Sequence, residues 1–255
     1  MIPDNLFNWM LVFIRISAMF SVFPLLSGPN FPVQLRIGLS ALVAYLVAPM
    51  LPPGALAGLE FWKMVGLMAS EVGVGLLLGF TSRMIFFAVE MAGWIITNQI
   101  GLTLSSDINP FTGSNSEAPA MILYYLAGVI FFSLDLHHWL LMGIRRSYTY
   151  LPIGDWHLHS ALLADIIVRT TQIFVIGVQI AAPIIALSFL LSLIFSILSR
   201  AVPQMNVFVE SYSVRILAGL TVFGLTLSVM SQHLVNYLRR IPEDVLRVAQ
   251  LLGAR

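Results

Sequence analysis

Long apolar runs, separated by short Pro-, Gly- or polar-rich segments, dictate what this 255-residue chain can become. A helix needs about 20 apolar residues to cross the hydrocarbon of a bilayer. Six runs reach or approach that length. The first extends from about Leu6 to Leu26 with Arg15 inside it. The second, from about Ile37 to Leu51, is short and bounded by Pro32 and by Pro52-Pro53. The Pro-kinked segment PLLSGPNFP between them predicts a hairpin. The third spans roughly Phe61 to Leu104 without one Pro and exceeds a single perpendicular crossing, so it must tilt, break or extend beyond the membrane. The fourth runs from about Ala118 to Met142, the fifth from Ala161 to Leu198 and the sixth from Ile216 to Leu238. PEDVLRVAQLL then closes the chain as an amphipathic tail. The expected fold is all-α: an integral membrane protein of helical hairpins, with several helices kinked or not simply spanning.

Composition supports that class, because 58% of residues are hydrophobic and 10% charged, against roughly 25% charged in soluble domains. With no Cys, disulfides, thiolate metal sites and Cys nucleophiles are excluded. A net charge of +1, without basic residues clustered among aromatics, gives no reason to expect nucleic acid as a partner. The opening MIPDNLFNW lacks a basic n-region and a small-residue cleavage site, so it is expected to remain as the start of a helix.

Cations outside the runs divide unevenly between the two sides that strict alternation defines. Lys63, Arg145, Arg146, Arg239, Arg240, Arg247 and Arg255 fall on one side, and Arg36, Arg200 and Arg215 on the other. The positive-inside rule then predicts a cytoplasmic C-terminus.

Charges inside the runs say more. Arg15, Glu71, Arg83, Glu90, Asp165 and Arg169 would each cost about 2.5 to 3.5 kcal/mol at the centre of a lipid-facing helix. Six such costs exceed the net stability of a typical domain, so most of these groups must face protein or water. Asp165 and Arg169 stand four apart, and Arg83 and Glu90 seven apart, so each pair can stack along its own helix. Structural ion pairing and a polar lining for a path through an assembly are both open readings. Ala69 with Gly73, and Gly75 with Gly79, are spaced to let another helix approach closely. The string GVGLLLG lies in an apolar helix with no preceding strand and has the wrong spacing for a nucleotide loop.

Catalytic motifs are scarce: no H-E-x-x-H, G-x-S-x-G or P-loop occurs. In LDLHHWLL, Asp135 and His138 are three apart with His137 beside them, able to share a metal or a proton. Beside Trp139, interfacial anchoring is the preferred reading. His157 and His159, with Asp155 and Trp156, read as a solvated loop. No cofactor, metal or catalytic residue is expected. The segment SSDINPFTGSNSEAP carries no positive charge and will not form a stable helix by itself. It reads as an exposed connector or as a mobile gate carried on rigid helices.

RISAMFSVFPLLSGPNFPVQLRIGLS, then LSSDINPFTG with SNSEAP, then LDLHHWLLMGI and finally RAVPQMNVF occur in the order found in the flagellar biosynthetic protein FliR family. Together they span most of the chain, which thus resembles that family and its SctT-like injectisome counterpart. Pro203, Gln204, Met205 and Asn206 form the most specific motif, at the tip of the last hairpin. The resemblance implies a non-enzymatic, pore-lining subunit of the type III export gate in the bacterial inner membrane, at the flagellar basal body. Its partners would be FliP-like, FliQ-like and FlhB-like subunits, membrane lipid and unfolded exported proteins. It further implies that residues 1–145 are FliP-like, that 160–240 form a FliQ-like hairpin and that 241–255 are the tail. A channel plug would comprise Ser106, Asp107, Ile108, Asn109, Pro110, Phe111, Thr112, Gly113, Ser114, Asn115, Ser116 and Glu117.

Two readings from other classes compete. A secondary transporter for a small solute would use Glu71, Arg83 and Glu90 as a relay, but no internal repeat supports it. An intramembrane hydrolase would use Asp135 and His138.

Overall fold

A computed structural model describes residues 4–28, 31–50, 60–102, 118–154, 160–204 and 207–253. Among these residues the regular structure is helical: α1 Asp4–Val22, α2 Pro24–Ser27, α3 Val33–Val47, α4 Phe61–Ile100, α5 Ala118–Ser133, α6 Leu136–Tyr150, α7 Ser160–Ala201, α8 Val207–Leu238 and α9 Ile241–Gly253. Proline punctuates the start of the chain. Phe23 is extended, at φ −60° and ψ 125°, because Pro24 disfavours helical geometry in the residue before it. The same Pro opens α2, where its missing N–H costs nothing. A single 3₁₀ turn, Ala48–Met50, follows α3.

Four stretches are long and apolar enough to cross a membrane: Val33–Met50, Phe61–Ile100, Ser160–Ala201 and Glu210–Gly253. The broken pair α5 and α6 makes up to five. The run expected from Leu6 to Leu26 stops short at Val22, since Pro24 cannot continue α1. The run expected from Ala118 to Met142 breaks at Leu134 and Asp135, with Asp135 in the left-handed region at φ 54°. Asp tolerates that conformation better than most residues. The overlong third run resolves by extension: α4 is one helix of 40 residues, about 60 Å at 1.5 Å per residue.

The chain forms two compact units. The first comprises residues 1–84, 132–169 and 239–255. In it α1 buries Phe7, Leu11, Val12, Ile16, Met19 and Phe20, a stripe at helical spacing, and packs on α3. It also packs on α4, where Gly75 lies against the Arg15 carbonyl and Gly79 against that of Met19. A Cβ at either glycine would collide with backbone, so these two positions require Gly. Gly73, by contrast, faces open space. In the same unit α6 packs on α9, which buries Ile241, Val245, Val248, Ala249 and Leu252.

The second unit comprises residues 85–131 and 170–238. Its part of α4 buries Phe86, Ala88, Val89, Ala92, Ile96 and Ile100. Phe86 meets Phe131 of α5 edge-on at 6.5 Å between ring centroids. Gly93 abuts Ala120, and Gly177 of α7 lies against Met91 and the Ala88 carbonyl. Gly219 of α8 packs on Ile100. Pro183 lies within α7 and does not end it.

Candidate functional site

The charges inside the apolar runs were the candidate site, and the structure gives most of them partners. Arg15 on α1 and Glu71 on α4 are each 1% exposed. Arg15 Nε donates to Glu71 Oε2 at 2.5 Å and Nη2 to Oε1 at 2.9 Å, a two-pronged, charge-assisted contact. Nη1 donates to the Leu151 carbonyl at 3.2 Å, and the guanidinium carbon stacks 3.9 Å from the centroid of the Tyr148 ring. The Tyr148 hydroxyl, also buried, finds no partner among the described residues. Every charged edge of the pair is thereby engaged. Such a site fastens α1, α4 and the end of α6 together and offers no open coordination or proton-exchange position.

A second network lies in the same unit. Arg169 and Asp165, one helical turn apart on α7, pair through Nε and Oδ2 at 2.5 Å, matching the i, i+4 spacing in the sequence. Arg169 Nη1 also contacts Asp244 of α9 at 2.5 Å, and Arg247 Nε contacts Asp165 at 3.0 Å. Alternating charges on two helices thus cross-brace the tail helix onto the start of α7. Sequence spacing marked the pair on α7 but not its continuation to Asp244 and Arg247. The clue available was their own i, i+3 spacing on an amphipathic segment.

Arg83 reaches the Val22 carbonyl at 3.5 Å and Ser27 Oγ at 3.4 Å, placing its cation at the C-terminal end of α1, where carbonyl dipoles favour it. Glu90 is half-buried on α4, in the second unit. In that unit Arg215 donates to Ser188 Oγ at 3.1 Å and to Ser192 Oγ at 3.2 Å. Ser188 in turn donates to the Gln99 carbonyl at 3.4 Å. Sequence reading gave Arg215 no such role, because serines 23 and 27 residues away carry no spacing signal.

Pro203 and Gln204 form a turn between α7 and α8; Met205 and Asn206 of that motif lie outside the described residues. The whole expected plug, Ser106 to Glu117, also lies outside them, as do Asp155 to His159. Asp135, His137 and His138 can each offer a ligand atom within 4.8 Å of the others. The His138 Nδ1 to Asp135 Oδ1 distance is 3.5 Å, with both side chains largely exposed. An exposed contact of this length is weak in water.

Long apolar helices with most of their internal charges held by protein partners define a helical membrane protein whose polar groups hold helices together. The sequence signature of the bacterial export proteins, family 1, matches residues 6–241, and the chain belongs to that family. It is 32% identical over 251 residues to the flagellar biosynthetic protein FliR of Bacillus subtilis, covering 96% of this chain and 95% of that one. The FliR of Escherichia coli is 28% identical over 251 residues, at 97% and 95% coverage. The Yop proteins translocation protein T of Yersinia pestis is 29% identical over 218 residues, covering 84% of each. The resemblance seen in the sequence therefore holds, with flagellar and injectisome-type relatives together, and the chain is a component of the flagellar and type III export class.

Proposed function

We propose that the chain is a structural, pore-lining subunit of a type III protein export gate, assembling with FliP-like and FliQ-like subunits to pass unfolded proteins across the inner membrane. The observation that carries this reading is the apolar surface the chain leaves uncovered. Only 22% of the most apolar stretch of α7 is buried, and 17% of that in Glu210–Gly253, against 61% for α4. Phe174, Phe189, Ile194 and Ile197 of α7 and Leu217 and Leu225 of α8 are all exposed. Exposed apolar surface on this scale marks contact with lipid or with other subunits. Family membership over residues 6–241 favours sister subunits as a large part of that cover.

On this reading residues 1–145 correspond to a FliP-like part and 160–240 to a FliQ-like hairpin, with Pro203 to Asn206 at its tip. Ser106 to Glu117, the segment between α4 and α5, closes the channel as a plug. The C-terminus faces the cytoplasm, a FlhB-like subunit sits alongside, and the energy for export comes from outside this chain. The buried pairs act as fasteners, and the chain performs no catalysis. A transporter relay through Glu71 is disfavoured by its closed pairing with Arg15.

The test is a mild-detergent pull-down of the tagged chain from its native membrane, followed by native mass determination. Recovery of FliP-like and FliQ-like partners in a complex far heavier than 28.2 kDa supports the gate. A lone monomer or homodimer overturns it.

A further inference from the structure

The sequence scatters five arginines over two distant segments, and the fold collects them on one helix pair. Gly143 of α6 faces Val245 of α9, and Gly253 lies against the Tyr150 carbonyl. Contacts advancing in the same sense along both helices mean that α6 and α9 run parallel. Both are two-faced. α6 buries Leu136, Leu140, Gly143, Ile144, Ser147 and Tyr148, while α9 buries the apolar stripe from Ile241 to Leu252. Standing outside, among the exposed Trp139, Leu141, Met142 and Tyr150, are five arginines: Arg145 and Arg146 on α6, Arg239 and Arg240 just before α9, and Arg247 on it.

Charge balance across the pair is lopsided. The two helices themselves carry only Glu243 and Asp244 against five arginines; Asp244 is taken by Arg169, and Arg247 is paired with Asp165 of α7. Arg145, Arg146 and Arg239 have no ion pair or hydrogen bond among the described residues. The surface is flanked by aromatics that are half in water, with Trp139 52% and Tyr150 44% exposed. Exposed Trp and Tyr beside arginines, next to apolar spans, match the headgroup layer of a bilayer. An acidic peptide would match the charges but would leave the aromatic flank unexplained. Arg239 and Arg240 also follow directly on Leu238, the last residue of the apolar helix α8, so they fall where a span would emerge into headgroups.

We infer that the exposed face of the α6 and α9 pair is a binding surface for the phosphate headgroups of anionic phospholipid, with Arg145, Arg146 and Arg239 as its free cations. The inference rests on the membrane placement of the chain and not on the export-gate assignment. Arginine suits the role because its planar fork of donors meets phosphate oxygens in pairs. Each basic residue near an anionic surface strengthens attraction by about fivefold, so three free cations give roughly a hundredfold preference at low salt.

The full chain, purified in mild detergent, is offered phosphatidylglycerol or phosphatidylcholine, and the retained lipid is counted by native mass spectrometry. Phosphatidylglycerol should be retained at least tenfold more strongly. R145Q/R146Q/R239Q should bring the two lipids to within about twofold, while R145K/R146K/R239K keeps most of the preference. A control with equal charge loss elsewhere, R36Q/K63Q/R200Q, should keep it as well. Equal retention of both lipids by the unaltered chain overturns the inference while leaving membrane placement intact. So does an equal loss in the control, which would mean that total charge decides. Displacement of phosphatidylglycerol by a glutamate-rich peptide at equal concentration would reassign the surface to acidic protein.

Discussion

Arg15 and Glu71, separated by 56 residues in sequence, close on each other through two hydrogen bonds at a point where neither side chain meets solvent. Burying two charges is favourable only when both are paired, so removing one leaves the other stranded. Glu71→Leu or Arg15→Met alone should therefore lower stability by about 3–5 kcal/mol. The double variant Arg15→Met with Glu71→Leu should recover a large part of the loss. Thermal unfolding of the four proteins in detergent closes the cycle, and additive losses would show that the pair does not act as a unit.

Helix α1 rests on two glycines of α4. Gly75→Ala forces a Cβ into the Arg15 carbonyl and Ala18, and should destabilise by about 1–3 kcal/mol through overpacking. Gly73→Ala, two residues away, meets nothing within 4 Å and should be neutral, or stabilising by up to about 1 kcal/mol from helix propensity. The same melting measurement separates them, and equal effects would contradict the packing of α1 on α4.

The tail helix is braced by Arg169. Replacing it with Ala leaves Asp165 and Asp244 facing each other without their shared cation. Hydrogen exchange of the amides from Ile241 to Gly253 should accelerate by tenfold or more, in line with about 1.5–3 kcal/mol for a charged hydrogen bond. Unchanged protection would mean that the apolar stripe of α9 alone holds it.

At the break between α5 and α6, Asp135 holds a left-handed backbone. Asp135→Gly should be tolerated, whereas Asp135→Val should cost about 1–2 kcal/mol from the Cβ clash in that region. Comparing the melting of the two variants tests the backbone requirement apart from any role of the carboxylate.

If Ser106 to Glu117 is a plug, deleting the segment should leave assembly intact and make the reconstituted channel leak to ions. Conductance across a planar bilayer reads this directly, and a sealed channel in an intact complex would end the plug assignment.

Much of this was legible in the chain itself. Asp165 and Arg169 are one turn apart, so their pairing could be read from helical spacing alone. The Gly75 and Gly79 spacing announced close packing, and the Pro-kinked PLLSGPNFP segment marked the first interruption, which begins at Pro24. That Arg145, Arg146, Arg239, Arg240 and Arg247 share one helix pair, by contrast, came from the packing of α6 on α9.

By itself the sequence determined the class: runs of apolar residues at helical length cannot remain in water, and charges within them cannot face lipid unpaired. Those are local and compositional costs, which the order of residues states directly. Only the tertiary structure decided that Glu71 belongs to Arg15, that Leu151 and Tyr148 complete their enclosure, that Asp244 and Arg247 extend the brace on α7, and that the fourth run breaks at Asp135. Pairings across tens of residues depend on which helices pack and in which rotation, and no spacing along the chain encodes that.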